Sequence, residues 1–275
     1  MVNNQTKLRI KDDIMFKAFF SRKENEECLQ EFISCILKEK VKIKKVEHDA
    51  RLEQLAKEDK YGILDIDVTL EDGKEINIEM QLKNYNNMEE RTTFYASKKI
   101  TSQKNIGKYY EGLKKVVIIA ILDYDFTKLP EYITKTVRVA EKHREYEINN
   151  VVEYYYIELS KFRKENPDMK EKLNQWLAFI DGERRELIEM AKKNNKLVEK
   201  ADENYNVLTG DAEIRRLEEV RMLSKMEGQA ALKVAKEEGI KEEQLKIAKE
   251  MKKMNLDIET IIKATELTKE EIEKL

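Results

Sequence analysis

ILDIDVTLEDGKEINIEMQLK, Ile63 to Lys83, is the stretch whose reading decides the fold. Leu64, Ile66, Val68 and Leu70 alternate with Asp65, Asp67 and Thr69. Beyond Glu71-Asp72-Gly73, residues Ile76, Ile78, Met80 and Leu82 alternate with Asn77, Glu79, Gln81 and Lys83. Period-two alternation of this kind predicts the two strands of a half-buried hairpin. Its polar face is unusual, because it gathers Asp, Asp, Glu and Gln where Thr, Lys and Arg are ordinary.

Loop length decides which of these groups meet. A two-residue Asp72-Gly73 turn would set polar residues opposite apolar ones along the whole hairpin. A three-residue loop, Glu71-Asp72-Gly73, pairs Leu70 with Lys74 and Asp65 with Glu79, and asks for Gly in the left-handed position. A one-residue slip turns every side chain over, so the apolar pattern selects the second register. Asp65 and Glu79 would then have Cβ atoms roughly 4.5–5.5 Å apart. Facing carboxylates repel unless a cation or a shared proton relieves them. A hard divalent ion such as Mg²⁺ is the natural partner, with Mn²⁺ or Ca²⁺ as substitutes.

Asp65, thirteen intervening residues and then Glu79-Met80-Gln81 resembles the active-site signature of the PD-(D/E)XK nuclease fold, with Gln where Lys is usual. The chain is similar more narrowly to the Rpn family of recombination-promoting nucleases, also described as transposases. Asp13-Ile14-Met15-Phe16-Lys17 looks like that family's DxxFK signature. Arg91, Phe94, Tyr95, Gln103, Gly107 and Tyr110 look like its helix after the active-site strand, and Val116 to Phe126 like its next core strand. Glu158 to Phe162 and Trp176 to Phe179 match later landmarks. The resemblance implies a restriction-endonuclease-like α/β core, a central mixed sheet flanked by helices, acting on DNA with a divalent metal. It makes Asp65 and Glu79 the metal ligands, and Gln81 a group that orients water without changing protonation. Asp13, Glu31, Asp67 and Lys83 are secondary candidates; Lys83 could supply the positive charge that Gln81 lacks.

Composition sets the outer bounds. The 275 residues carry 53 Lys and Arg against 55 Asp and Glu, a net charge of −2, so any DNA-binding surface must be a local patch. With 41% hydrophobic and 39% charged residues but only eight Gly and two Pro, much of the chain should be solvated helix. Cys28 and Cys35 are expected to be reduced, packed thiols. Two histidines leave no His-rich zinc site. No signal peptide or membrane-spanning apolar run is evident, so a cytoplasmic, soluble protein is expected.

The order along the chain reads as helix, three strands, helix, strand, an α/β layer arrangement. Helices are expected over 11–20 and 24–38, with Asp12 or Asp13 near the first N-cap, and a weak strand over 41–49. A helix over 88–109 sets Arg91, Tyr95, Lys98 and Ser102 on one stripe, the expected phosphate or DNA contact. Val116–Leu122 suits a buried strand. Val137–Val139 and Val151–Ile157 read as peripheral strands, with Tyr154, Tyr155 and Tyr156 as packing and surface residues. From Met169 onward the chain reads as helix. The expected division is a nuclease-like core over 1–180, a helical connector over 181–240 and a three-helix tail over 241–275, with breaks at Asn255 and Glu266. The long helix from Glu213 and the tail should mediate homodimer or partner contacts. Residues 266–275 hold four Glu and two Lys, which suits a partner helix better than a phosphate backbone. The rival reading is a catalytically inactive nuclease fold that acts as an interaction or regulatory protein through its helical C-terminal part.

Overall fold

A computed structural model describes residues 9–47, 66–103, 110–148 and 151–275 of the chain. It forms two compact units, Met1–Glu218 and Glu219–Leu275. The first begins with α1 (Asp13–Phe20), α2 (Glu26–Leu37), β1 (Ile43–Glu47), β2 (Ile66–Leu70), β3 (Glu75–Gln81) and α3 (Met88–Ser102). Then come β4 (Val116–Leu122), β5 (Ile133–Thr136), β6 (Val139–Ala140), β7 (His143–Glu147) and β8 (Val152–Glu158). Four helices follow: α4 (Leu159–Phe162), α5 (Lys172–Asp181), α6 (Arg185–Asn194) and α7 (Lys196–Thr209).

The hairpin takes the three-residue loop. Ile66 faces Ile78, Asp67 faces Asn77, Val68 faces Ile76 and Thr69 faces Glu75. Leu70 N donates to Lys74 O at 2.9 Å, and Gly73 N to Leu70 O at 3.0 Å. Gly73 has φ +88°, which explains the glycine there. Each buried Ile, Val or Leu contributes about 1.5–3 kcal/mol. A slip that turned Ile66, Val68 and Leu70 outward together would therefore be prohibitive. Asp65, the predicted partner of Glu79, lies outside the described residues.

The strands join a six-stranded mixed sheet in the order β1-β2-β3-β4-β8-β5. β3, β4 and β8 run parallel, and β1, β2 and β5 pair antiparallel with their neighbours. A small separate ribbon is made by β6 and β7. One face of the sheet carries Ile66, Val68, Ile76, Ile78, Met80, Ile119, Ile121 and Ile157 into a core shared with Phe16, Phe20, Phe32, Trp176 and Phe179. On the other face, Ala120, Leu122 and Tyr156 pack with Met88, while Val116 and Ile118 pack with Ala96, so α3 covers it.

That second covering corrects the half-buried reading of the hairpin. Five consecutive residues of β3, Ile76 to Met80, are buried, polar ones included, because β3 sits inside the sheet with helices on both sides. β8 is likewise not peripheral: it lies between β4 and β5, with Tyr155 and Tyr156 buried. β5 and β7 were not expected, and the strand expected over Val137–Val139 is met only at Val139, the first residue of β6. The core also runs past residue 180, since Leu187, Ala191, Val198, Ala201 and Leu208 belong to it. Cys28 and Cys35 are free thiols, and burial pushes both up to about 11. At the far end of α3, the Gln103 side chain donates to Lys114 O at 3.0 Å and accepts from Lys114 N at 2.9 Å, clasping both ends of the connection to β4.

Helix α8 (Ala212–Lys253) runs unbroken for 42 residues, about 63 Å at 1.5 Å per residue. The expected separation of a helix starting at Glu242 does not occur. Nothing but Gly239 marks that position, and one glycine costs a helix only about 1 kcal/mol. Within the second unit α8 is followed by α9 (Ile258–Thr265) and α10 (Lys269–Glu273). The breaks fall where the sequence sets them, Asn255 at φ 56° and Glu266 at φ 57°. Asp257 Oδ1 accepts from Thr260 N at 2.9 Å, and Thr268 with Glu271 forms a capping box. Ala248, Ile261, Leu267 and Ile272 make the small core of this unit.

Candidate active site

The polar face of the hairpin lies beneath α3. Glu79 is only 2% exposed, and Arg91 donates to its Oε1 through one guanidinium nitrogen. The same nitrogen lies 3.4 Å from Tyr95 Oη, and the Arg91 guanidinium sits 5.7 Å from the centre of the Tyr95 ring. Arg91 and Tyr95 are one turn apart, so the strand carboxylate, the cation and the phenol form one column. Burial pushes the Glu79 carboxyl up, against the pull of Arg91, and the net shift is upward. Glu79 Oε2 is buried and has no hydrogen-bond donor among the described residues. A buried carboxylate oxygen left unpaired is costly, so such an atom calls for an explanation.

A second ion pair lies further along α3. Lys99 Nζ reaches Asp67 Oδ1 at 2.9 Å, and Asn77 Nδ2 donates to the same oxygen at 3.0 Å. Asp67 therefore belongs to a pair and a hydrogen bond. Lys98, on the stripe expected to meet phosphate, is exposed, and Lys99 is the lysine that turns to the sheet. Arg91 and Lys99 are separated by eight positions, a little over two turns, and that spacing was the overlooked signal.

Gln81 Nε2 donates to Lys83 O at 3.1 Å, and the Lys83 side chain is exposed. Glu31 is not brought into this column. Its Oε2 accepts from Trp176 Nε1 at 3.0 Å and Asn195 Nδ2 at 2.7 Å, and its Oε1 pairs with Lys172. It thus fastens α2 to α5 and to the start of α7. Asp12 occupies the N-cap position of α1, with Asp13 the first helical residue, and Asp12 accepts from Arg9 N at 2.8 Å. Tyr124 was not foreseen. Packed with Met88 and Leu122, its phenol is pushed up to about 12 by burial and then by the Glu79 charge. Nothing in its spacing from the hairpin announces that neighbourhood; only the parallel pairing of β3 and β4 creates it.

Among the described residues no group of three or more His, Cys, Asp or Glu could hold a metal ion. Among them, too, no helix is long and apolar enough to cross a membrane. The family described as PD-(D/E)XK nuclease family transposase matches residues 10–235. The chain belongs to that family. The matched span contains the whole sheet, the Glu79 column and the first part of α8. The mixed sheet between helices is the α/β fold expected of a PD-(D/E)XK nuclease, and the family supports a nuclease or transposase type of function. Neither the comparison with curated proteins nor that with solved structures gave a match.

Proposed function

We propose that the protein is a divalent-metal-dependent DNA endonuclease, with Asp65 and Glu79 as the metal ligands and Gln81 as the third catalytic group. The observation that carries this reading is the unpaired, buried Oε2 of Glu79 beside a paired Oε1. A hard cation fits that oxygen, which is buried and has no donor among the described residues. The described register, whose last pair is Ile66 with Ile78, agrees with the sequence alternation from which Asp65 is expected opposite Glu79, and that expectation is the ground for Asp65 as the second ligand. Mg²⁺, or Mn²⁺ or Ca²⁺ in its place, would supply polarisation of a phosphoryl oxygen and acidification of a water.

The chain's own residues do the rest. Arg91 holds the Glu79 carboxylate and brings a positive charge to the place where a phosphate would bind. Tyr95 orients the guanidinium from one turn along the helix. Gln81 can position water by hydrogen bonding but cannot take its proton, so general-base work is not assigned to it. Lys83, exposed beyond the end of β3, adds positive charge on the approach side. The C-terminal helices suit a homodimer or partner contact, since Met222, Leu223 and Met226 stand exposed on α8.

Plasmid cleavage tests the reading. The parent should nick or cut DNA with Mg²⁺ or Mn²⁺, stop with chelator, and be silenced by Asp65→Ala or Glu79→Gln. Equal cleavage by parent and variants would assign the activity to a contaminant. A folded parent that cuts no DNA with any of the three metals would instead support a regulatory protein on an inactive nuclease core.

A further inference from the structure

The buried column does not end at Tyr95. The Phe94 ring lies edge-on to the Tyr95 ring at a centroid distance of 5.9 Å, and Phe94 is 65% exposed. Carboxylate, guanidinium, phenol and phenyl thus follow one another from the interior at Glu79 to open solvent at Phe94. Single exposed apolar residues are common and need no account. This one is set apart by the ring contact behind it and by what stands beside it. Lys98 lies one turn further on the same side of α3, exposed, and no ion pair holds it among the described residues. An aromatic face next to an unengaged cation is the pair of groups that holds a nucleotide without reading its sequence: the ring stacks the base and the cation takes the phosphate. In the turn that leads from β3 into α3, Tyr85 adds a second aromatic, 63% exposed. Glu89 and Glu90 are exposed on the first turn of the same helix, so the surface is not a generally basic one. Binding there must come from stacking more than from charge.

We infer that Phe94 is a stacking step for an unpaired nucleobase next to the scissile phosphate, with Lys98 on its backbone, so that the substrate is single-stranded or locally melted DNA. The inference rests on the nuclease reading for the position of the phosphate. In duplex DNA the bases are already stacked on one another and offer no free face to Phe94. In an unpaired strand each base has one, and stacking on an aromatic side chain is worth about 1–3 kcal/mol per base.

The test uses the full-length chain carrying Glu79→Gln, which should bind without cutting, and two fluorescein-labelled probes, an oligothymidylate and a blunt duplex of similar length. Adding Phe94→Ala should weaken oligothymidylate binding about tenfold and leave duplex binding unchanged. Phe94→Trp should retain tight binding, and Phe94→Leu should behave like alanine. An equal loss on both probes, no loss on either, or rescue by Leu as good as by Trp overturns the inference. So does a change in subunit number by sedimentation with DNA binding intact, which would give the ring to a protein contact. The two readings separate cleanly. Phe94-dependent strand binding by a chain whose parent cuts nothing keeps the stacking step and removes the nuclease. Metal-dependent cutting with no effect of Phe94 does the reverse.

Discussion

Glu79 and Glu158 are both buried carboxylates on parallel strands of one sheet, with β4 between them, yet the chain treats them in opposite ways. Glu158, with 0% exposure, is saturated. Its Oε1 accepts from the backbone N–H groups of Phe126 and Thr127, and its Oε2 from Thr127 Oγ1 and Lys161 Nζ, each at 2.8 Å. Lys161 also donates to Thr127 O at 2.9 Å and Leu129 O at 2.7 Å, so the group pins the loop after β4 onto α4. Glu79 has Arg91 on one oxygen and, among the described residues, no donor on the other. A carboxylate kept for structure is given every donor it can accept. On the proposed reading, the oxygen of Glu79 that has no donor among the described residues is the one that would take the metal.

The largest effect should come from breaking the saturated member. Glu158→Ala leaves Lys161 nearly buried without its countercharge and should cost about 3–5 kcal/mol in urea unfolding. Glu79→Gln, by contrast, keeps an acceptor for Arg91 and removes a charge that burial disfavours. Its stability should stay within about 1 kcal/mol of the parent while cleavage is lost. If Glu79→Gln proves as destabilising as Glu158→Ala, the two carboxylates are alike and the contrast fails.

Arg91→Ala sharpens the comparison at the next level. Arg91 holds a proposed metal ligand from behind, and loss of such a support lowers metal affinity or activity about 10–100-fold. Melting curves against Mn²⁺ concentration, with cleavage assays in parallel, read the change. A variant that unfolds would make Arg91 a structural group. Lys99→Met should do much less, about 0.5–1 kcal/mol in stability, because Asp67 and Lys99 are a partly exposed pair. Its metal response should equal the parent's. A lost response would move the site from Glu79 towards Asp67.

The smallest effect concerns a carboxylate of the second unit. The Lys241 ammonium, helped by Thr268, holds the Glu271 carboxyl down at about 2, against an ordinary value of 4.5. With the folded value depressed, the stabilisation is fully present above pH 4.5 and is lost as the pH falls through about 2. Carbon NMR of the Glu271 carboxyl should give a midpoint near 2, and Glu271→Gln should remove acid sensitivity in that window. Glu79 moves the other way because its main influence is burial, whereas Glu271 lies at the surface and feels chiefly its donors.

What could be read in the sequence was whatever local rules determine. Gly73 and the apolar alternation specify the hairpin loop, and Asn255, Glu266 and Thr268 mark the helix ends, because turn and cap chemistry act within a few residues. The fully apolar run Val116–Leu122 identified a strand covered on both sides. What escaped depends on partners far away in the chain. β8 reads as an ordinary tyrosine-rich strand until its pairing with β4 makes it central. Burial of Asn77 and Glu79 follows from α3 lying over them, which no alternation can announce. Lys99, the partner of Asp67, was missed because a stripe drawn at i+4 and i+7 drifts away from one drawn at i+4 and i+8. For the site, Glu79 on the hairpin and the Arg91–Tyr95 stripe on the helix were legible separately, but the ion pair that joins them was not, and neither was Tyr124.

The Gln103 clasp has a consequence for how this protein can change. By donating to Lys114 O and accepting from Lys114 N, one side chain imitates a rung of a β-ladder and shuts the connection between α3 and β4 at its base. A segment inserted beyond the rung would be closed at its base by this pair, and doubling the length of such a closure costs only about 0.6 kcal/mol in entropy. New segments can be grafted there without levering α3 off Glu79 or β4 out of the sheet. The clasp makes this connection a socket, a place where a lineage or an engineer could exchange recognition elements while the interior stays as it is.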